Sequence, residues 1–477
     1  MKTKLLLIIC LTTFFFQNGF GQGTSLPWQR ANTLGKGMNL SLWLESTYPF
    51  YHDSTNFPNP RFTQQDIAFL NSICVNTVRV PILFEAYAQL NAPYRFQMNL
   101  QEVVNGLNYI DSVIAWAAPF NMNVIIDNHM PDDTPDNNQQ ANYQVTDANY
   151  QQRAQRISSI WAQIATRYQS TDANHIFFEI RNEPNVVSDA NLRTVYQQAI
   201  DSIRSIDNAH TLIVGCTGYY DGNALANLTP YSDNNIIYTF HTYEPFNFTT
   251  QGIGGVPNPG AYVETPFPAA SSDTTYLRNM FQSIKNWSVT NDLPVWVGEF
   301  GCTTAPDAFN DHTSRCNYVT FLGGLMDEFQ FPWCWWDYND YQADYADGQG
   351  VHYFFSIFDS PTASQTDSSH LNVCFKNALH FGSACIATGI KETANESSFR
   401  FYPNPSDGKV FIVAAQEEKN VKLSVLDLSG RTVYSNIVTL NVNSPLQLNC
   451  SFDPGVYILA LQNNNGVKVF KKMTIGD

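Results

Sequence analysis

Charge is what this sequence has least of. Only 14% of its 477 residues are Asp, Glu, Lys or Arg, against roughly a quarter in an average soluble protein. The little there is leans one way, 26 basic residues against 42 acidic, for a formal net charge of −16. Such a surface repels phosphate backbones and argues against a nucleic-acid partner. No C-x-x-C pair occurs, which disfavours a zinc ribbon. No glycine-rich phosphate loop follows the first predicted strand, which disfavours a doubly wound dinucleotide fold. Beyond the N-terminus no apolar run reaches the roughly 20 residues that span a bilayer. Aromatics are plentiful at 14%, and a chain poor in charge but rich in Trp, Tyr, Phe and Asn suits flat neutral ligands, sugars among them.

Lys2 and Lys4 precede an apolar run from Leu5 to Phe16, and Gly19-Phe20-Gly21 stands before Gln22. A basic start, a short apolar centre and small residues predict a signal peptide, residues 1–21, on an exported chain. Export permits disulfides. Of nine cysteines, Cys10 lies in the leader, seven fall before residue 390, and Cys450 lies beyond. An odd seven implies at least one unpaired thiol if the regions fold independently, and Cys374 with Cys385 is the pair expected first.

From residue 34 to 340 short β-rich segments alternate with helix-length stretches. The predicted strands are Lys36–Leu42, Thr77–Pro81, Val124–Asp127, Ile176–Ile180, Thr211–Val214, Ile236–Phe240, Val295–Val297 and Pro332–Trp336. Between them lie helices such as Val103–Ala117 and Ala154–Tyr168. In the latter, Ile157, Ile160, Trp161, Ile164 and Ala165 form one apolar stripe, read as core. Eight strand–helix units predict an α/β chain built as a (β/α)8 TIM barrel over residues 22–389. A polar linker, 390–398, follows. From Phe399 the pattern changes to short alternating strands: Lys409–Ala414, Val421–Leu428, Thr432–Thr439, Gly455–Leu461 and Val467–Thr474. Turns such as Asn404-Pro405-Ser406-Asp407-Gly408 punctuate them. Residues 399–477 therefore read as a small all-β, immunoglobulin-like sandwich.

A parallel barrel builds its active site at the C-terminal ends of its strands. Arg79 ends the second predicted strand and His129 follows the third. Asn182-Glu183-Pro184 follows the fourth, His241 and Tyr243 follow the sixth, Glu299 ends the seventh and Trp336 the eighth. Two carboxylates facing each other across a mouth suit glycoside hydrolysis, one protonating the leaving oxygen and the other attacking. Arg79 could keep Glu299 ionised and Tyr243 could donate to the same carboxylate, while Glu183, partly desolvated beside Glu299, should have the raised pKa of an acid. Asn182 could hold a sugar hydroxyl.

Ile176-Phe177-Phe178-Glu179 leading to Asn182-Glu183-Pro184, with Val297-Gly298-Glu299-Phe300-Gly301 later, resembles glycoside hydrolase family 5. Val75-Asn76-Thr77-Val78-Arg79-Val80-Pro81, Asp127-Asn128-His129 and His241-Thr242-Tyr243-Glu244-Pro245 appear in the same order. The resemblance implies a retaining endo-β-glycanase with Glu183 as acid/base and Glu299 as nucleophile. Arg79, His129, Asn182, His241 and Tyr243 match the family's other rim positions, and Trp336 matches the aromatic that stacks on the sugar. Cellulose or β-glucan is the first substrate expected, with mannan or xyloglucan as alternatives in the same family. A non-catalytic surface glycan-binding protein is the alternative of a different class. Tyr402-Pro403-Asn404-Pro405, Leu426-Asp427-Leu428-Ser429-Gly430-Arg431, Gly455-Val456-Tyr457-Ile458 and Lys471-Lys472 resemble a type A sorting domain of type IX secretion. That resemblance implies the secretion machinery as a partner and a secreted or surface-attached product. A sugar-binding role for this module is disfavoured, because all nine Trp lie between Trp28 and Trp336.

Trp28, Trp43, Tyr48 and Phe50 read equally as outer subsites or as aromatic core, and the acidic loop Pro131–Asp136 borders the predicted cleft. Asp340, Asp344 and Asp347 lack the spacing of a calcium loop. No metal, no cofactor and a monomer are expected.

Overall fold

The computed structural model describes residues 23–41, 43–45, 62–82, 84, 101–129, 145–185, 187–251, 265–304, 312–338, 355–358, 366, 371–378, 399–402, 406, 408–414, 417–426, 432–441, 444–449, 452, 455–462 and 468–475. Tyr48, Phe50, Pro131–Asp136, Asp340, Asp344, Asp347, Cys385, the leader and the linker lie outside them.

Eight strands pair in parallel, each with the next, and the last returns to the first. They are β1 (Lys36–Asn39), β2 (Thr77–Ile82), β3 (Asn123–Asn128), β4 (Ile176–Glu179), β5 (Thr211–Val214), β6 (Ile236–Thr242), β7 (Val295–Phe300) and β8 (Trp333–Trp335). Each of these strands is buried on both faces, which is why they read as apolar runs rather than as alternation. Outside lie α1 (Leu26–Leu34), α2 (Gln64–Ser72), α3 (Gln101–Ala117), α4 (Tyr150–Tyr168), α5 (Asp189–Arg204), the turns α6 (Thr217–Tyr220), α7 (Gly222–Leu225) and α8 (Phe246–Thr249), then α9 (Ser271–Asn291), α10 (His312–Phe329) and α11 (Val373–Ala378). In α4 the stripe Ile157, Ile160, Trp161, Ile164 and Ala165 is fully buried, the core face predicted from its spacing.

Inside the barrel, side chains alternate with period two along each strand. The lower layer is apolar: Ile125, Phe177, Ile213, Ile237, Trp296 and Cys334 cluster with Ala31 and Leu34 of α1, which closes that end. Two residues further along, the inward positions turn polar, at Asn39, Arg79, Asp127, Glu179 and Thr239, all fully buried. The site thus stands on an apolar plug.

Between β6 and β7 the register shifts, so that Phe240 faces Val297 while His241 faces Glu299. Gly298 is the extra residue, and β7 runs on to Phe300, three residues past its predicted end. Strict alternation from the inward Trp296 would point Glu299 out into the helical layer. The bulge turns it back in.

One expectation is corrected. Cys374 bonds not to Cys385 but to Cys316, with Cα atoms 4.7 Å apart. The cause is tertiary: α10 and α11, 58 residues apart at these cysteines, pack side by side. Cys74 is also disulfide-bonded, whereas Cys216, Cys302 and Cys334 are buried thiols.

Trp28 and Trp43 are core, both buried; the Trp28 indole donates to the Asp292 carbonyl and carboxylate, and Trp43 packs on Phe62 and Tyr109. Trp335 points outward, its ring edge-on to Phe300 and Phe375, leaving Trp336 to the interior side.

The C-terminal region forms two antiparallel sheets. One has the order β13 (Leu446–Asn449), β10 (Lys409–Ala414), β9 (Phe399–Tyr402); the other has β12 (Thr432–Leu440), β11 (Glu418–Leu426), β14 (Gly455–Gln462), β15 (Lys468–Ile475). Val410, Ile412 and Leu448 from the first sheet share a core with Val421, Leu423, Leu459 and Met473 from the second. Among the described residues, no helix is long and apolar enough to cross a membrane.

Candidate active site

Arg79 organises the polar layer. Its Nε and Nη2 form a fork on Glu179, at 2.7 and 2.9 Å. Nη1 donates to Glu299 Oε1 at 2.7 Å and to Asn39 Oδ1 at 2.9 Å. Nη2 also reaches Asn182 Oδ1 at 2.8 Å and Asp127 Oδ2 at 3.0 Å. Only a guanidinium offers donors in this fixed fork, so lysine could not replace it. One cation faces three buried carboxylates, and burial dominates their titration. It pushes Asp127 up to about 7 and raises Glu179, with Arg79 opposing in both cases.

Glu299 is held on both oxygens: Arg79 takes Oε1, and the Tyr243 hydroxyl donates to Oε2 at 2.8 Å. Burial raises the Glu299 carboxyl above the ordinary range and the Glu183 charge adds to it, while Arg79 opposes. The same burial keeps the Tyr243 phenol protonated, hence a donor.

Glu183 leaves the barrel wall just beyond β4 with a left-handed backbone, φ +43°, a conformation that costs a non-glycine residue about 1–3 kcal/mol and clusters at functional sites. Its side chain is 21% exposed, against 5% for Glu299. His241 Nδ1 lies 2.5 Å from Glu183 Oε1 and 3.6 Å from Glu299 Oε2. The nearest oxygens of the two carboxylates and this nitrogen all fall within 4.8 Å of one another. Burial drives His241 down to about 4, so its ring is neutral near pH 7. Neutral, it shares one proton with Glu183.

His129 Nδ1 meets Asp127 Oδ2 at 2.6 Å, and its Nε2 lies 3.4 Å from the Asn182 amide nitrogen. The network assigns the proton to Nδ1, which aims the Nε2 lone pair at Asn182. The His129 ring stacks on Trp336, with centroids 5.8 Å apart and planes within 15°. Trp336 itself is half-buried. All eight rim residues named from sequence therefore meet in one chain of contacts: Arg79, His129, Asn182, Glu183, His241, Tyr243, Glu299 and Trp336.

The cellulase family model (glycosyl hydrolase family 5) matches residues 40–342. The chain belongs to glycosyl hydrolase family 5. Residues 400–476 match a secretion system C-terminal sorting domain. Endoglucanase 3 of Fibrobacter succinogenes is 29% identical over 347 residues, 64% of this chain and 49% of its own length. Endoglucanase H of Acetivibrio thermocellus is 25% identical over 313 residues, 65% of this chain and 30% of its own. This chain thus spans half or less of those relatives. The crystal structure of endoglucanase Cel5A from Thermotoga maritima superposes with TM-score 0.56 at 25% identity, covering 70% of this chain and 94% of that one.

Three participants escaped the rim argument. Asn39 ends β1, accepts from Arg79, and donates to the carbonyls of Gly298 and Trp335 at 3.2 and 3.1 Å, so it ties the bulge to β8. Asp127 and Glu179 sit one layer below the glutamate pair. The available signal was a carboxylate or amide inside an otherwise apolar buried strand, as in Ile176-Phe177-Phe178-Glu179.

Proposed function

We propose that the barrel is a retaining endo-β-1,4-glucanase, with Glu299 as nucleophile and Glu183 as acid/base. The observation that carries this reading is the separation of the two carboxylates, whose nearest oxygens lie within 4.8 Å. Retaining enzymes hold the pair about 5–5.5 Å apart, whereas inverting ones leave about 6.5–9.5 Å for a water. Glu299, clamped by Arg79 and Tyr243, attacks the anomeric carbon while Glu183 gives its proton to the departing glycosidic oxygen. Glu183 then takes a proton from the water that opens the glycosyl-enzyme. Neutral His241, bonded to Glu183, steadies it in both protonation states, and Trp336 offers a flat face to the sugar next to the cleaved bond. The relatives are named endoglucanases, which favours a glucan over mannan.

The boundaries belong to the same reading: a leader at 1–21, a catalytic barrel at 22–389, a linker at 390–398 and a sorting module at 399–477. The module would recruit type IX machinery and deliver a secreted or surface-attached, monomeric enzyme.

Hydrolysis of carboxymethylcellulose, mannan and xyloglucan tests the substrate, and NMR of fresh product tests the stereochemistry. The β-anomer should appear first. Glu299→Ala should lower kcat by several orders of magnitude, and an α-anomeric first product or an unimpaired Glu299→Ala would end the proposal.

A further inference from the structure

A groove of about 460 Å³ lies on the outer wall between α9 and the segment around α7. Asn223, Asn227, Asn286 and Asn291 line it, with Ser283 and Thr290 adding hydroxyls. Its remaining lining is Ala226 and Trp287, whose indole is buried and donates to the Leu228 carbonyl at 2.7 Å. No lining residue is charged, and none belongs to a barrel strand.

The amides are spent on one side only. Asn227 Nδ2 donates to the Asn223 carbonyl and Asn291 Nδ2 to the Trp287 carbonyl, at 2.9 and 2.8 Å. Asn286 Oδ1 accepts from Gln282 at 2.9 Å. These bonds fix each amide in orientation and leave Oδ1 of Asn227, Oδ1 of Asn291 and Nδ2 of Asn286 for a ligand. The Asn223 amide donates to the Tyr276 hydroxyl at 2.9 Å, and that ring is 44% exposed at the upper end of the same helix face. From Tyr276 to Asn291 is about 22 Å of helix.

The lining decides the ligand class. An anion finds no cation here, a metal ion finds no carboxylate or imidazole, and an apolar ligand would strand the oriented amides without partners. A neutral polyhydroxylated chain satisfies donors and acceptors alike, and its pyranose faces can lie on an exposed tyrosine. The volume falls in the range of small-ligand sites, about 300–1,000 Å³. We propose that this groove is a second binding site for a β-glucan chain, holding polymer against the wall of the barrel that cleaves it. The glucan assignment rests on the function proposed above.

The test uses the full chain with Glu299→Gln, which idles the cleft, run on native gels containing barley β-glucan or hydroxyethylcellulose. Adding Asn227→Ala and Asn286→Ala together, or separately Ser283→Arg to fill the groove, should weaken retention at least threefold with thermal melting unchanged. In the chain with Glu299 intact, the same substitutions should lower kcat/KM on polymer about fivefold relative to a soluble cellotrioside. Two variants of opposite design guard against a folding defect in either. Parental retention and an unchanged polymer-to-trisaccharide ratio in both variants would overturn the groove. Stronger retention by mannan than by glucan would overturn the ligand assigned. If the intact chain cleaves no β-glucan, the function proposed for the cleft fails first, and retention of the Glu299→Gln chain still decides the groove.

Discussion

Gly298→Ala probes the bulge and the glutamate pair at once. A methyl added at Gly298 would lie 2.6 Å from His241 Nε2, 3.0 Å from His241 Cδ2 and 2.8 Å from Thr239 Oγ1, against ordinary contacts of 3.4 Å or more. The imidazole must therefore retreat by about 0.8 Å, and it has little room. Nδ1 is engaged by Glu183 at 2.5 Å, and the Tyr220 ring stands edge-on behind it, centroids 4.9 Å apart. The Tyr220 hydroxyl is anchored on the Arg181 carbonyl. Gly298 is not among the positive-φ glycines, so alanine meets no backbone objection and would by itself stabilise by about 0.4–1 kcal/mol through the unfolded chain. Overpacking of about 1–3 kcal/mol opposes that, and the net expectation is a modest loss of stability. The effect on turnover should be larger: displacing a reacting group by about 1 Å lowers rates on the order of 100-fold, and His241 drags Glu183 with it. Steady-state kinetics on carboxymethylcellulose alongside thermal melting measures both. Gly324→Ala in α10 is the control, because a methyl there meets nothing within 4 Å and should stabilise by about 0.5–1 kcal/mol. Wild-type turnover in Gly298→Ala would refute the steric coupling from bulge to His241 to Glu183.

His241 should make the fold sensitive to acid. Its pKa is about 4 in the folded chain and about 6.5 unfolded, so between these values the unfolded chain binds the extra proton. Stability then falls as pH drops from 6.5 to 4, by an order of 3 kcal/mol in full. Melting of wild type against His241→Asn across that window should show a steeper loss in wild type than in the variant, and parallel profiles would remove the assignment. Tyr243→Phe withdraws the donor on Glu299 Oε2 from a carboxyl already raised by burial. The acid limb of kcat/KM should move to higher pH, with kcat reduced about tenfold; a limb that stays in place would show that the phenol does not hold the ionised form. Replacing Cys316 and Cys374 by serine opens a loop of 58 residues and should lower stability by about 4 kcal/mol on loop entropy, read as the denaturation midpoint.

The barrel was legible because burial on both faces writes each strand as a short apolar run, and the sorting-type module because burial on one face writes alternation into Val421-Lys422-Leu423-Ser424-Val425. Two strands of the module were not: β9 and β13 alternate over only four residues each, without the apolar run that marks barrel strands of the same length. Pairing of Cys374 was illegible for another reason, since it depends on which helices of the outer ring become neighbours.

For the site, motif and periodicity told different stories. Motif named Glu299; period two, counted from Trp296, sends it outward into hydrocarbon. A carboxylate there, away from Arg79, would be a buried charge without a partner, an error of several kcal/mol. The bulge resolves the conflict, and the local sequence is consistent with it, since only the residue without a side chain fits against His241 and Thr239. Asn39 then secures the displaced Gly298 carbonyl from β1, reaching it past β8. Once Trp296 is placed inside the barrel, the bulge follows from this contradiction: where chemistry demands an inward carboxylate and alternation forbids it, a glycine immediately before the carboxylate is the residue most able to absorb the difference.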